Sequence, residues 1–173
     1  MQEKNHPLFR EEQQFRETCI WILILPPTII IWYIFITQVI FGTPVGNNPM
    51  SDTMLTLFWV GFGILFPLFF YKLKLTTEVR TDGLYLRFTP FHLKYKKIPI
   101  EKDTKYYTRT YQPITEYGGW GIRCGLFGKG KAYNVSGNHG LQIELTDGKK
   151  LLIGSQKPEQ LKNAIDQYLK NQR

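Results

Sequence analysis

Residues 66–88 read FPLFFYKLKLTTEVRTDGLYLRF, and the change of period inside them decides the architecture. Up to Tyr71 the run is apolar without alternation, as a helix surrounded by lipid would be. From Lys72 it alternates. Leu73, Leu75 and Val79 fall on one face, and Lys72, Lys74, Glu78 and Arg80 on the other, the period-two pattern of a half-buried strand. Asp82-Gly83 then marks a tight hairpin, because both residues tolerate positive φ. Leu84, Leu86 and Phe88 alternate on the return strand.

Upstream of this switch lies an uncharged third of the chain. Between Thr18 and Tyr71 only Asp52 carries a full charge. Cys19–Phe41 (CIWILILPPTIIIWYIFITQVIF) would extend roughly 34 Å as a helix at about 1.5 Å per residue, and Met54–Tyr71 roughly 27 Å. Both are close to a hydrocarbon layer about 30 Å thick. The connector GTPVGNNPMSDT is rich in Gly, Pro and Asn, as a turn outside the membrane should be. We therefore expect a two-helix transmembrane hairpin over 18–71, with spans at about 19–41 and 54–71. Pro26 and Pro27 remove two backbone donors in the first span and predict a kink there. Acidic residues precede it and no small-residue cleavage site follows, which argues against a cleaved signal peptide.

The basic residues set the orientation. Lys4, Arg10 and Arg16 precede the first span, Lys72, Lys74 and Arg80 follow the second, and the connector has none. The positive-inside bias then places both termini in the cytoplasm of a multi-pass inner-membrane protein. Residues 1–17, with Leu8 and Phe15 among charges, read as a cytoplasmic interfacial segment. Cys19 and Cys124 fall in different regions and give neither a disulfide nor a metal-ligand spacing. The sequon Asn134-Val135-Ser136 is discounted because a cytoplasmic segment does not meet the glycosylation machinery.

The remainder, 72–173, is polar and has 19 Lys+Arg against 9 Asp+Glu, a net +10 within a chain of formal charge +8. Beyond the first hairpin, strands are expected over Leu93–Ile100, Thr104–Tyr111 and Lys131–Val135. A last hairpin follows, with Leu141, Ile143 and Leu145 alternating, Asp147-Gly148 turning, and Leu151–Ile153 returning. About seven short strands with turn signals every 8–12 residues argue a barrel or sandwich. Pro158 suits a first helical position and Glu159 the positive end of a helix dipole. Leu161, Ile165 and Leu169, widened by Ala164 and Tyr168, give that helix one apolar face. Seven strands closed by one C-terminal helix is the element order of the pleckstrin-homology (PH) fold. The expected class is thus a membrane-anchored α+β protein with a PH-like seven-stranded barrel or sandwich.

Four stretches carry a resemblance: PLFREEQQF at 7–15, EYGGWGIR at 116–123, GKAYNVSG at 130–137 and LLIGSQKPEQL at 151–161. Through them the whole chain resembles small bacterial membrane proteins with two N-terminal transmembrane helices and a cytoplasmic PH-like domain. The resemblance implies the architecture and supplies no activity.

The glycine-rich run around GLFGKGKA, residues 125–132, is one residue short of a phosphate-binding P-loop. Ala132 stands where the loop needs Ser or Thr to hold magnesium. Turn and strand signals follow it, not the helix whose N-terminus would meet phosphate. Strand bending by glycine explains the run more simply. The functional alternative is a partner-binding loop with Trp120 as apolar tip and Arg123, Lys129 and Lys131 as cations, since Trp and Arg are common interface hot spots. A second candidate is a lipid-facing surface of Arg87, Lys94, Lys96, Lys97, Lys102 and Lys105, drawn to an anionic leaflet by about 1 kcal/mol per cation.

His6, His92 and His139 stand apart and beside no catalytic motif, so no catalytic, cofactor or metal residue is assigned and no cofactor is expected. Nucleic acid is not an expected partner, because no reading motif is present. The first expectation is a non-catalytic inner-membrane protein whose PH-like domain docks a membrane or cytoplasmic protein, as an accessory or assembly module of a larger complex. The alternative is anionic-lipid headgroup sensing, and a membrane-associated enzyme stands behind both.

Overall fold

The computed structural model describes residues 7–15, 18–125 and 128–172. Lys4, His6, Arg16, Leu126 and Phe127, used in the sequence reading, lie outside the described residues, as do the side chains of Thr18 and Cys19. The chain is α+β. Two long apolar helices are followed by two β-sheets and a C-terminal helix. It divides into a helical unit, Phe15–Leu73, and a β unit, Met1–Gln14 with Lys74–Arg173.

In the helical unit, α1 (Thr18–Phe35) runs through Pro26 and Pro27 and continues as a π-helical stretch, Ile36–Ile40. The second helix is α2 (Asp52–Phe58), a π-helical stretch Trp59–Leu65, and α3 (Phe66–Lys72). Ile20–Ile40 and Asp52–Lys72 are each long and apolar enough to cross a membrane. Aromatic rings hold the two helices together. Phe35 stacks on Trp59 at 4.1 Å between centroids, Trp32 meets Trp59 edge-on, and Trp32 Nε1 donates to Gly63 O at 3.0 Å. Trp32 is therefore a contact between helices, while Tyr33 beside it is exposed. Near the connector, Gln38 Nε2 donates to Met50 O and to Asp52 Oδ1. The one charged residue of the apolar third has a partner.

The β unit contains nine strands among the described residues, in two sheets. The first sheet is antiparallel, in order β1 (Phe9–Gln14), β2 (Lys74–Arg80), β3 (Gly83–Thr89), β4 (Lys96–Ile98). The second has order β5-β8-β9-β7-β6: β5 (Lys105–Thr110), β6 (Gly121–Cys124), β7 (Lys131–Asn134), β8 (His139–Glu144) and β9 (Lys150–Gly154). A short helix, α4 (Pro113–Tyr117), precedes β6, and α5 (Pro158–Lys170) ends the unit. Leu75, Val79, Leu84, Leu86, Phe88, Leu141, Ile143 and Ile153 are fully buried from the sheets. Leu161, Ala164, Ile165 and Tyr168 join them from α5.

Two strands exceed the seven expected, and each has a physical reason. The segment read as an interfacial lead-in supplies β1 instead, paired in antiparallel register with β2 from Phe9↔Val79 to Gln14↔Lys74. The whole helical hairpin is thus inserted between two neighbouring strands. The sequence concealed β1 because its buried face carries Glu11 and Gln13 beside Phe9, where alternation of apolar residues would be sought. The second addition, β6, lies inside the glycine-rich run. The second sheet also contains a parallel pair, β7 with β9, which consecutive hairpins alone cannot produce.

Buried polar bonds join β1 to the second sheet. Ser155 Oγ donates to Glu11 Oε2 at 2.5 Å and the Gln156 backbone N–H to Glu11 Oε1 at 2.8 Å. Gln13 Nε2 donates to Gly154 O at 2.8 Å. These bonds satisfy groups whose burial alone would be costly.

Candidate functional site

The outward face of the first sheet carries an ionic row. Arg10, Glu78, Tyr85 and Lys97 are successive register partners across all four strands. The Glu78 carboxylate is buried: its Oε2 accepts from Arg80 Nε and Nη2 at 2.8 and 2.6 Å, and its Oε1 accepts from Tyr95 Oη at 2.8 Å. The Arg80 guanidinium lies between the Tyr85 and Tyr95 rings, at 4.6 and 4.8 Å from their centroids. Burial pushes the Glu78 carboxyl up, but the bonds from Arg80 and Tyr95 outweigh it and its pKa is lowered. Burial and the bond to Glu78 raise the Tyr95 hydroxyl. A cleft of about 310 Å³ opens here beside Arg10 and Asp82. The lowered Glu78 and the raised Arg80 and Tyr95 are all shifted away from neutral pH, where an acid-base group works best.

On the second sheet, the Tyr117 ring of α4 meets the Tyr111 ring edge-on, their centroids 6.0 Å apart. Tyr111, Tyr117, Ala132 and Leu152 form a small apolar cluster there. Around it, Arg109 Nη2 donates to Glu116 Oε2 at 2.9 Å and to Tyr117 Oη at 3.0 Å, and Arg109 Nε donates to Gln142 Oε1 at 3.1 Å. Burial opposes ionisation of Glu116, yet its bonds from Arg109 and the Gln112 N–H hold its pKa below the usual value. Gly118, at φ 69°, caps α4 in the left-handed conformation, and β6 and β7 then pair from Gly121↔Asn134 to Cys124↔Lys131.

This arrangement separates the four candidate partner-binding residues. Trp120 is half-buried and its indole Nε1 donates to Gly137 O at 3.1 Å, so the ring is tied to the connection between β7 and β8. Arg123 is exposed on β6, with Nε on Trp120 O at 2.9 Å. Lys129 lies 3.5 Å from Glu116. Lys131 points into a different feature, a groove of about 530 Å³ between β4 and the ends of β7 and β9.

The six candidate lipid-facing cations do not share one face either. Arg87 and Lys97 lie on the outward face of the first sheet, against the rings of Tyr95 and Tyr85. Lys96 has the opposite parity and lines the groove with Lys131. Lys102 sits in the turn that Glu101 and Thr104 close, and Lys105 is paired with Glu144 in the second sheet. Lys94 is exposed in the β3–β4 loop, beside Leu93, which is 90% exposed. Leu93 escaped the sequence reading because an apolar residue between histidine and lysine looks like the start of a strand. Lys149 and Lys150 escaped it because they follow a hairpin turn. Burial and the nearby Lys96 charge lower the pKa of His92. Among the described residues no group of His, Cys, Asp and Glu converges as a metal site.

The four stretches that carried the resemblance are knitted together. Residues 7–15 bond to 154–156 through Glu11 and Gln13, 120–121 bond to 134–137, and Gln156 Nε2 donates to Ser136 Oγ at 2.9 Å. No curated protein and no solved structure matches the chain. A family model matches residues 2–170, spanning the helical pair and the β unit together, and by it the chain belongs to the family of unknown function DUF6141.

Proposed function

We propose that this chain is a non-catalytic membrane-anchored module whose β unit, a PH-like barrel on the cytoplasmic side, contacts the anionic leaflet through its β3–β4 loop. The carrying observation is Leu93, 90% exposed at the tip of that loop with Lys94 beside it and Lys96 and Lys97 following. An exposed apolar side chain beside a cation suits an interface in which hydrocarbon lies beneath anionic headgroups. The β1–β2 pairing supports the anchor. Strands that flank the two apolar helices can pair only if both lie on one side of the membrane, as they do when the chain crosses twice.

Hydrogen exchange of the full chain in nanodiscs tests the reading. Protection of residues 90–97 should rise with the anionic lipid fraction, fall at high salt, and disappear in a Leu93→Asp/Lys94→Glu variant. Equal exchange in neutral and anionic discs would overturn it. Docking of a partner protein is the second reading. It now rests on Arg123 and Ile122, exposed on the edge strand β6, with Trp120 as their support. Cross-linking through Arg123→Cys, read against a Lys162→Cys control on α5, tests it.

A further inference from the structure

The lysine-lined groove between the two sheets carries an inference of its own. Its volume, about 530 Å³, falls within the range of small-ligand sites, about 300–1,000 Å³. Lys96, Lys131, Lys149 and Lys150 line it, opposed by Asp147. Asp147 is taken by Lys149 at 2.5 Å, and Glu144 lies 3.8 Å from Lys150. Lys96 and Lys131 have no acidic partner among the described residues. The groove therefore holds uncompensated positive charge. Its walls include Ile98, Tyr133 and Leu151, each buried, which supply an apolar surface beneath the ammonium groups.

The backbone brings Lys131 to the groove. Gly130 has φ 81°, and a Cβ there would stand 2.0 Å from Lys150 O. Only glycine lets β7 start this close to β9, and the parallel pairing Lys131↔Leu151 then places Lys131 on the face of Leu151 and Tyr133, which line the groove with Lys96 and Ile98. A P-loop offers backbone N–H groups at a helix start, whereas this groove offers lysine side chains as point charges.

We propose that this groove binds a phosphate-ester anion, with the phosphate between Lys96 and Lys131 and an adjoining apolar group on Ile98 and Tyr133. The site is distinct from the leaflet contact at Leu93 and Lys94 and does not require it. The ester has two possible sources, a lipid headgroup or a soluble phosphate ester, and they share the recognition chemistry.

The test is calorimetric titration of the full chain in nanodiscs of zwitterionic lipid. The probes are short-chain monomeric phosphatidate, glycerol phosphate and inorganic phosphate. Saturable binding of at least one probe is expected, weakened at least tenfold in Lys96→Glu/Lys131→Glu and unchanged in Leu93→Asp/Lys94→Glu. Tighter binding of the phosphatidate than of glycerol phosphate identifies a lipid source, and equal binding identifies a soluble ester. If the first variant does not fold, Lys96→Glu/Lys149→Glu carries the same test. Absence of saturable binding to all three probes overturns the proposal, as does equal binding in wild type and the folded groove variant. Loss of loop protection with groove binding intact would remove the leaflet contact alone.

Discussion

Ser155 donates to Glu11 Oε2 at 2.5 Å across 144 residues of sequence. Both groups are buried, and Glu11 also accepts the Gln156 N–H just before α5. The bond fastens the first strand of the chain to the last strand and to the entry of the closing helix. Removing one partner leaves the other buried and unpaired, which costs about 1–3 kcal/mol. Glu11→Ala and Ser155→Ala should each lower the thermal midpoint of the β unit by several degrees, followed by near-ultraviolet circular dichroism in detergent. A midpoint unchanged in both variants would show that β1 is held by its ladder alone.

The register Gln14↔Lys74 makes a stronger prediction about the inserted hairpin. Replacing residues 15–73 by Asn-Gly should close β1 onto β2 through a two-residue turn, because that dipeptide favours the type I′ geometry. The expected product is a soluble, monomeric β unit. Residues 74–173 alone leave the β2 edge bare, and bare edges invite aggregation. Size-exclusion chromatography of the two proteins decides the point. Equal behaviour would mean that β1 is dispensable.

Acid should loosen the unit through Glu78 and Glu116. Both carboxylates have lowered pKa values in the fold, so the folded state binds protons less readily than the unfolded one. Their contribution is complete above the ordinary glutamate value, about 4.3, and is lost as pH falls below it through the depressed values. Stability measured from pH 7 to pH 3 should therefore drop mainly below about 4.5. A Glu78→Gln/Glu116→Gln protein should be less stable at pH 7 and flatter in this range. An equally steep acid limb in that variant would assign the loss to other groups.

Legibility in the sequence followed the chemistry of each face. The hairpin β2–β3, the turn at Asp147-Gly148 and the buried stripe of α5 were readable because apolar residues alternate or recur against polar ones. The strand β1 was not, because Glu11 and Gln13 occupy buried positions that only distant partners, Ser155 and Gly154, make tolerable. Trp120 looked like a free tip because the carbonyl that engages it belongs to Gly137, seventeen residues on. The groove was invisible for the same reason. Lys96 and Lys131 belong to strands of different sheets, and no spacing along the chain announces that they line one groove.

Within the helical unit, Gly63 supports the aromatic contact between the helices. A Cβ at this position would lie 2.9 Å from Trp59 Cδ1 and 3.4 Å from Trp32 Nε1. Gly63→Ala should displace one ring, at a cost of about 1–3 kcal/mol for overpacking. The indole emission of the solubilised protein should shift as the Trp32–Trp59 contact opens, while Gly61→Ala, with nothing within 4 Å, should leave it unchanged. Identical spectra for the two variants would mean that the rings tolerate the added methyl.

Gly130 and Gly128 separate backbone conformation from close approach. Both have positive φ, 81° and 75°, but only at Gly130 would a Cβ strike the backbone, 2.0 Å from Lys150 O. Gly128→Ala should cost about 1–2 kcal/mol for the left-handed conformation alone. Gly130→Ala adds a contact that rigid backbone cannot relieve without parting β7 from β9. We expect Gly128→Ala to fold with a modest loss of thermal stability. Gly130→Ala should lose protection of the amides in β7 and β6, read by hydrogen exchange. Matching exchange patterns for the two variants would show that β7 can shift away from Lys150 O, in which case the start of β7 is not fixed against β9 by Gly130.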